Sequence, residues 1–269
     1  MDNTRLDYYW KIADLKKVKA NNLKVFSTAG SRDKAFKTDK VFREGQAKQV
    51  LSDLFFDWIK LVDKLQPKVA VAENVKGMLA GNAKAYTKKI ISELNKIGYE
   101  VQLFLVNAKD IGLPQARQRV FFIARRKDLK LNKLVLKFND KLIGVETAFN
   151  KIKDINYKGS DQSKSVNYKY WQMCKPGESF KKYHPTGSLF SLYKLPKDKP
   201  SCTITATSNN FYHWETMRNL SAPELCVLGS YPIDYNFLKN DPGYLIGMSV
   251  PPILTGRIAQ EIAKQVFKK

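Results

Sequence analysis

A chain of 269 residues, 43% apolar and 12% aromatic, can bury a sizeable core, which excludes global disorder. No apolar run approaches the length of a membrane span and no signal-peptide pattern opens the chain, so the expectation is a cytoplasmic protein without a membrane contact. A net charge of +22 and an isoelectric point near 9.8 make a polyanion the default partner, the blander alternative being a lysine-rich surface without a specific ligand. Cys174, Cys202 and Cys226 lie far apart with no CxxC pair, and His184 and His213 lack metal-ligand spacing. Neither a disulfide framework nor a zinc site is expected.

Residues 1–24 carry no chemical motif, although Tyr8, Tyr9, Trp10, Ile12, Leu15 and Val18 fit one face of a helix. A loop of small hydroxyl residues follows over 25–32, then a basic polar stretch to Gln46. From Gln46 to Leu65 the period is helical, with Val50, Leu54, Trp58 and Val62 four apart. Pro67 ends that helix, and Val69, Ala70, Val71 and Ala72 then run into Glu73 and Asn74. Such an apolar run predicts a buried parallel strand, whose carboxyl end is where open α/β sheets place ligands. An acid that merely caps the next helix is the competing reading of Glu73.

Ala83, Tyr86, Ile90, Leu94 and Ile97 predict a second helix, stopped at Gly98. Strands are expected over 99–106 and 120–124. The long loop between them carries Gln115, Arg117 and Arg119, and loops of that length tend to carry function. In an extended conformation the two guanidiniums share a side, suited to phosphate or a base carbonyl; two solvated surface arginines are the alternative. The order of helices and strands is an α/β pattern.

Residues 140–215 read as a small, irregular, mostly β lobe. Its aromatics, Tyr168, Tyr170, Trp171, Tyr183, Phe211, Tyr212 and Trp214, are suited either to nucleic acid or to the lobe's own core. A helix-and-turn segment spans 218–235. Gly247–Pro252 is a turn into an amphipathic helix with Ile258, Ile262 and Val266 on one face.

Four segments in register carry a family resemblance: Glu73-Asn74-Val75, the Gln115-x-Arg117-x-Arg119 pattern, the run from Arg218 to Pro232, and Gly247-x-Ser249-Val250-Pro251-Pro252. Together the chain resembles the DNA (cytosine-5)-methyltransferases. The resemblance implies a truncated Rossmann-like α/β methyltransferase sheet with a small, mostly β target recognition lobe. Its implied boundaries are a non-family segment over 1–24, a partial methyltransferase domain over 25–139, the lobe over 140–215 and a return to the α/β domain over 216–269. It also implies methyl transfer from S-adenosyl-L-methionine to C5 of a flipped cytosine in DNA, in a restriction-modification setting. The variable segment, and the lack of a Cys-Phe-Thr element, favour DNA over the RNA-methylating relatives.

By the same resemblance Glu73 holds the base at N3 and the exocyclic amine, Arg119 holds O2, and Arg117 steadies the loop, the nucleophile or nearby phosphate. Gln115 is a substrate-binding candidate; Asn74, Ser249 and Val250 are cofactor-binding candidates. Departures from the pattern are as informative. The chain has no Gly-x-Gly, its first glycine is Gly30, and Met248 stands where the family often has asparagine. Alignment on Phe26 and Ser27 puts Leu23 where the attacking cysteine belongs. The cofactor site is therefore expected to be incomplete. Three readings stay open: a methyltransferase silent on its own, one subunit of a split enzyme completed by a complementary amino-terminal chain, and a DNA-binding pseudoenzyme.

Overall fold

The structure, a computed structural model, describes residues 54–80, 83–152, 159–189, 191–206 and 208–267. The expectations for residues 1–24, the loop over 25–32, the first turns of the helix from Gln46, and Leu23 lie outside the described residues.

Helix α1, Leu54–Leu65, buries Phe55, Ile59 and Val62, a spacing that keeps one apolar stripe on the sheet. The Phe55 ring meets Phe122 edge-on at 5.1 Å. Strand β1, Val69–Val75, leads through a 3-10 turn (Lys76–Leu79) to helix α2, Ala83–Lys96. Thr87 on α2 donates to the Met78 carbonyl at 2.6 Å, tying helix to turn. Gly98, at φ +89, ends the helical segment in a conformation that side chains avoid, as expected. Strand β2, Tyr99–Asn107, and strand β3, Gln118–Arg126, complete the sheet in the order β1-β3-β2.

The parallel strand expected at Val69 is corrected: β1 pairs antiparallel with β3, in the register Glu73 to Phe121, and β2 pairs antiparallel with β3. The connection after β2 reverses the chain, so β3 returns between two strands that run the same way. β3 is the most buried strand. Val120, Phe122 and Ala124 face the cluster under α1 and α2, while Phe121 and Ile123 face a second cluster. That second face is covered by the terminal helix α7, Pro252–Ile262, through Leu254, Ile258 and Ile262, with Val266 beyond it. The amphipathic pattern placed this helix correctly.

Within 140–215 the elements are short: helix α3 (Val145–Phe149), helix α4 (Tyr168–Met173), and two-residue strands β4 (Tyr193–Lys194) and β5 (Phe211–Tyr212), paired parallel. The lobe is irregular as expected. Its β content among the described residues is the short β4–β5 pair with isolated bridges such as Ser179 to Tyr193, set among helical turns. Its aromatics are chiefly core: Trp171, Phe180 and Tyr212 pack with Cys174 and Met217, and Phe211 and Trp214 join a cluster with Leu225, Leu228 and Ile246. Leu225 and Leu228 come from helix α5, Ala222–Gly229, and Ile246 from helix α6, Pro242–Met248. The lobe and the carboxyl-terminal segment thus share apolar burial.

Candidate active site around Glu73 and Arg119

Strand register brings Glu73 and Arg119 together. Val75 pairs with Arg119, so the carboxyl end of β1 lies beside the start of β3. Arg119 Nε is 2.8 Å from Glu73 Oε1, with side chains 14% and 23% exposed. Arg119 also donates to the Gln118 carbonyl at 2.8 Å. Burial raises the Glu73 carboxyl above the ordinary glutamate range, and this outweighs the lowering by Arg119 and Arg117. Burial likewise lowers the Arg119 guanidinium, with Glu73 opposing. A carboxyl in this state keeps a proton more readily than a solvated one, so it can serve as donor as well as acceptor. Glu73 does not act as a mere helix cap: the residue before the following 3-10 turn is Val75, and its side chain makes no cap.

Arg117 is 2% exposed and faces inward, which corrects the reading of two solvated arginines. Its Nη1 donates to the Ile204 carbonyl at 2.9 Å; its Nη2 donates to the Gly247 and Ser249 carbonyls at 2.9 and 2.7 Å. Burial first, then Arg119, pushes its pKa down to about 9, still leaving it charged at neutral pH. All three acceptors are backbone carbonyls of the protein itself. Gln115 is 1% exposed, its Nε2 donating to the Leu228 carbonyl and its Oε1 accepting from Ile204 N–H. Both ends of the Gln115 amide are thus engaged inside the protein.

The three expected cofactor contacts differ in what they offer. Asn74 is 2% exposed; its Oδ1 accepts from Val75 N–H at 2.8 Å, while its Nδ2 is a buried donor with no partner. Such an orphan donor is the kind of atom a bound group completes. Ser249 is already committed, its hydroxyl donating to the Ile246 carbonyl and its own carbonyl taken by Arg117. Val250 packs on the cluster under α7.

Within 218–232 the structure gives roles to Arg218, Ser221 and Glu224. Arg218 grips Glu224 in a bidentate pair at 2.8 and 2.7 Å, and Ser221 and Glu224 form a capping box at the start of α5. The signal was present as Ser221-x-x-Glu224 before an apolar run. Gly247 is required by contact: a Cβ there would lie 2.2 Å from the Thr205 carbonyl oxygen.

None of the three cysteines is poised for attack. Cys174 sits in the lobe core, and Cys202 and Cys226 pack in the cluster shared with α5. Burial pushes their thiols up to about 11, 12 and 11. A thiol in that range is almost wholly protonated at neutral pH, and the thiolate is the nucleophile. Among the described residues no group of three or more His, Cys, Asp or Glu side chains is placed to hold a metal, and no helix is long and apolar enough to cross a membrane.

A family model described as C-5 cytosine-specific DNA methylase matches residues 24–264. The type II methyltransferase M1.HphI of Haemophilus parahaemolyticus is 26% identical over 263 residues, covering 89% of this chain and 65% of that protein. M.NgoPII of Neisseria gonorrhoeae is 28% identical over 249 residues, covering 78% and 69%. The chain therefore spans about two thirds of the length of these relatives. Two solved structures share the fold: a protein described as a DNA modification methyltransferase encoded within an E. coli prophage, and a mutant of Spodoptera frugiperda DNMT2. The first has a TM-score of 0.66 at 19% identity, covering 82% of this chain and 76% of that one. The second has 0.55 at 17%, covering 83% and 76%.

Proposed function

Because the chain belongs to the C-5 cytosine-specific DNA methylase family, we propose that its Glu73–Arg119 pair holds a flipped cytosine of DNA for methyl transfer to C5. The observation that carries this reading is the 2.8 Å contact between Arg119 and a carboxyl whose pKa is raised by burial. A protonated Glu73 donates to the ring nitrogen N3 while its other oxygen accepts from the exocyclic amine. Thymine presents N–H and carbonyl at those places and is refused. Arg119 donates to O2. When a thiolate adds at C6, negative charge moves onto N3 and O2, where the Glu73 proton and the Arg119 donors meet it.

S-adenosyl-L-methionine, when bound, supplies the methyl group as an electrophile. The chain's contribution to holding it is partial: Asn74 Nδ2 is the free donor and Val250 the apolar wall, while Ser249 has no donor to spare. Leu23 carries no nucleophilic atom, and the three thiols are held protonated in apolar cores. This polypeptide by itself therefore binds DNA and presents the cytosine pocket without a poised thiolate, and the nucleophile comes from elsewhere, a complementary amino-terminal segment or chain being one source. DNA is the partner, the cytoplasm the compartment and restriction-modification the setting.

Two measurements test this. Purified chain incubated with labelled S-adenosyl-L-methionine and mixed-sequence duplex is expected to incorporate no methyl group; incorporation would overturn the assignment of Leu23. A duplex with one unpaired cytosine is expected to bind more tightly than the same duplex with unpaired thymine, and Glu73→Gln to narrow the difference. Equal binding of the two by the unaltered chain would sink the pocket.

A further inference from the structure

The segment 201–206 of the recognition lobe runs along the loop before β3 in continuous contact. Ser201 N–H donates to the Pro114 carbonyl and Ala116 N–H to the Ser201 carbonyl, at 2.9 and 2.8 Å. The Thr203 hydroxyl donates to the Ala116 carbonyl at 2.8 Å. Ile204 is held at both backbone groups by side chains: its N–H donates to Gln115 Oε1 at 3.1 Å and its carbonyl accepts from Arg117 at 2.9 Å. Where a strand would find a second strand, this segment finds Gln115 and Arg117. Beyond it, Thr205 presses against Gly247 so closely that only glycine fits, and Arg117 holds that same turn.

We propose that Gln115 is a positioning residue that couples the recognition lobe to the base-holding pair, through the juxtaposition of Ile204 with the loop carrying Arg117 and Arg119. The inference rests on the function proposed above. Gln115 touches no DNA in this account. Its amide joins Ile204 to Leu228 of α5, so displacement of the lobe reaches the loop two and four residues before its arginines act. A buried, fully engaged amide transmits such displacement because letting go leaves Ile204 N–H and the Leu228 carbonyl unpaired. Arg117 bears the same load two residues on, which makes the staple two-pronged.

The test is amide hydrogen exchange of the full chain with and without mixed-sequence duplex DNA. In the unaltered protein DNA is expected to slow exchange over 114–119 and 201–206 together. In Gln115→Leu the unbound protein is expected to exchange roughly tenfold faster over 201–206, and DNA is expected to protect 201–206 without protecting 114–119. Gln115→Glu keeps the acceptor for Ile204 N–H but gives up the donor to the Leu228 carbonyl, and is expected to restore joint protection only in part. Joint protection that persists in a cooperatively melting Gln115→Leu overturns the inference, as does DNA that protects neither stretch in the unaltered protein. Should Gln115→Leu not fold, Thr203→Val removes one bond of the same staple, and unchanged exchange over 201–206 then overturns the inference. Failure of the functional reading looks different: exchange is coupled, yet unpaired cytosine and thymine bind equally.

Discussion

Glu73 and Arg117 show how burial assigns different work to neighbouring charges. Glu73 is protonated more readily when folded than when unfolded. Its contribution to stability is therefore fully present below the ordinary glutamate value of 4.5 and is lost as pH rises through the raised folded value. Glu73→Gln keeps a neutral acceptor for Arg119 at every pH. The variant is expected to gain stability relative to the unaltered chain as pH goes from about 4 to 7, read as a growing difference in Tm. A difference independent of pH would mean that burial does not dominate at this carboxyl. Arg117→Lys tests the other charge. One ammonium cannot span carbonyls on Ile204, Gly247 and Ser249. At least one buried acceptor is left bare, and a loss of about 2 to 4 kcal/mol is expected in urea unfolding. Glu73 and Arg119 were legible in the sequence because each lies in a short motif. The role of Arg117 was not, because its three partners lie 87, 130 and 132 residues away.

At the scale of elements, local patterns were legible and pairing was not. The apolar stripe of α1, the glycine stop after α2 and the buried face of α7 all follow from spacing. Strand direction is set by which strands meet, and the run from Val69 to Ala72 reads the same whether its neighbour is parallel or antiparallel. The stretch over 202–206 has a strand-like pattern, yet at Ile204 its partners are the side chains of Gln115 and Arg117. Two predictions belong here. Ser221→Ala removes the acceptor for Glu224 N–H and disturbs the box that starts α5, and is expected to cost about 1 kcal/mol in thermal unfolding. His213 is stacked on Trp214 with centroids 3.9 Å apart, and burial, aided by Arg218, pushes it down to about 4. Between its ordinary value of 6.5 and about 4 the unfolded chain takes a proton that the folded lobe refuses. Stability is thus complete above that window and falls as pH drops through it. His213→Phe keeps an aromatic stack and is expected to flatten this part of the acid unfolding profile; an unchanged profile would place the acid sensitivity elsewhere.

Over the whole molecule, +22 net charge and a half-buried arginine at the base-holding pair divide the cations into two kinds. Lysines of the lobe such as Lys169 and Lys181 are exposed and can neutralise phosphates and release counterions. Arg119 is engaged by Glu73 and reaches a base only once it is flipped. Salt separates the two. If about six phosphates are contacted, affinity for duplex is expected to fall roughly a thousandfold between about 50 and 200 mM salt. Replacing Lys169 or Lys181 with Gln is expected to make the slope of log affinity against log salt shallower by about one if that lysine meets a phosphate. Arg119→Gln is expected to leave the slope in place and reduce the preference for unpaired cytosine over thymine. A slope near zero in the unaltered chain would mean that its charge is not the contact surface. If Arg119→Gln flattens the slope and keeps the preference, Arg119 is a phosphate ligand, and the pocket loses the donor assigned to cytosine O2.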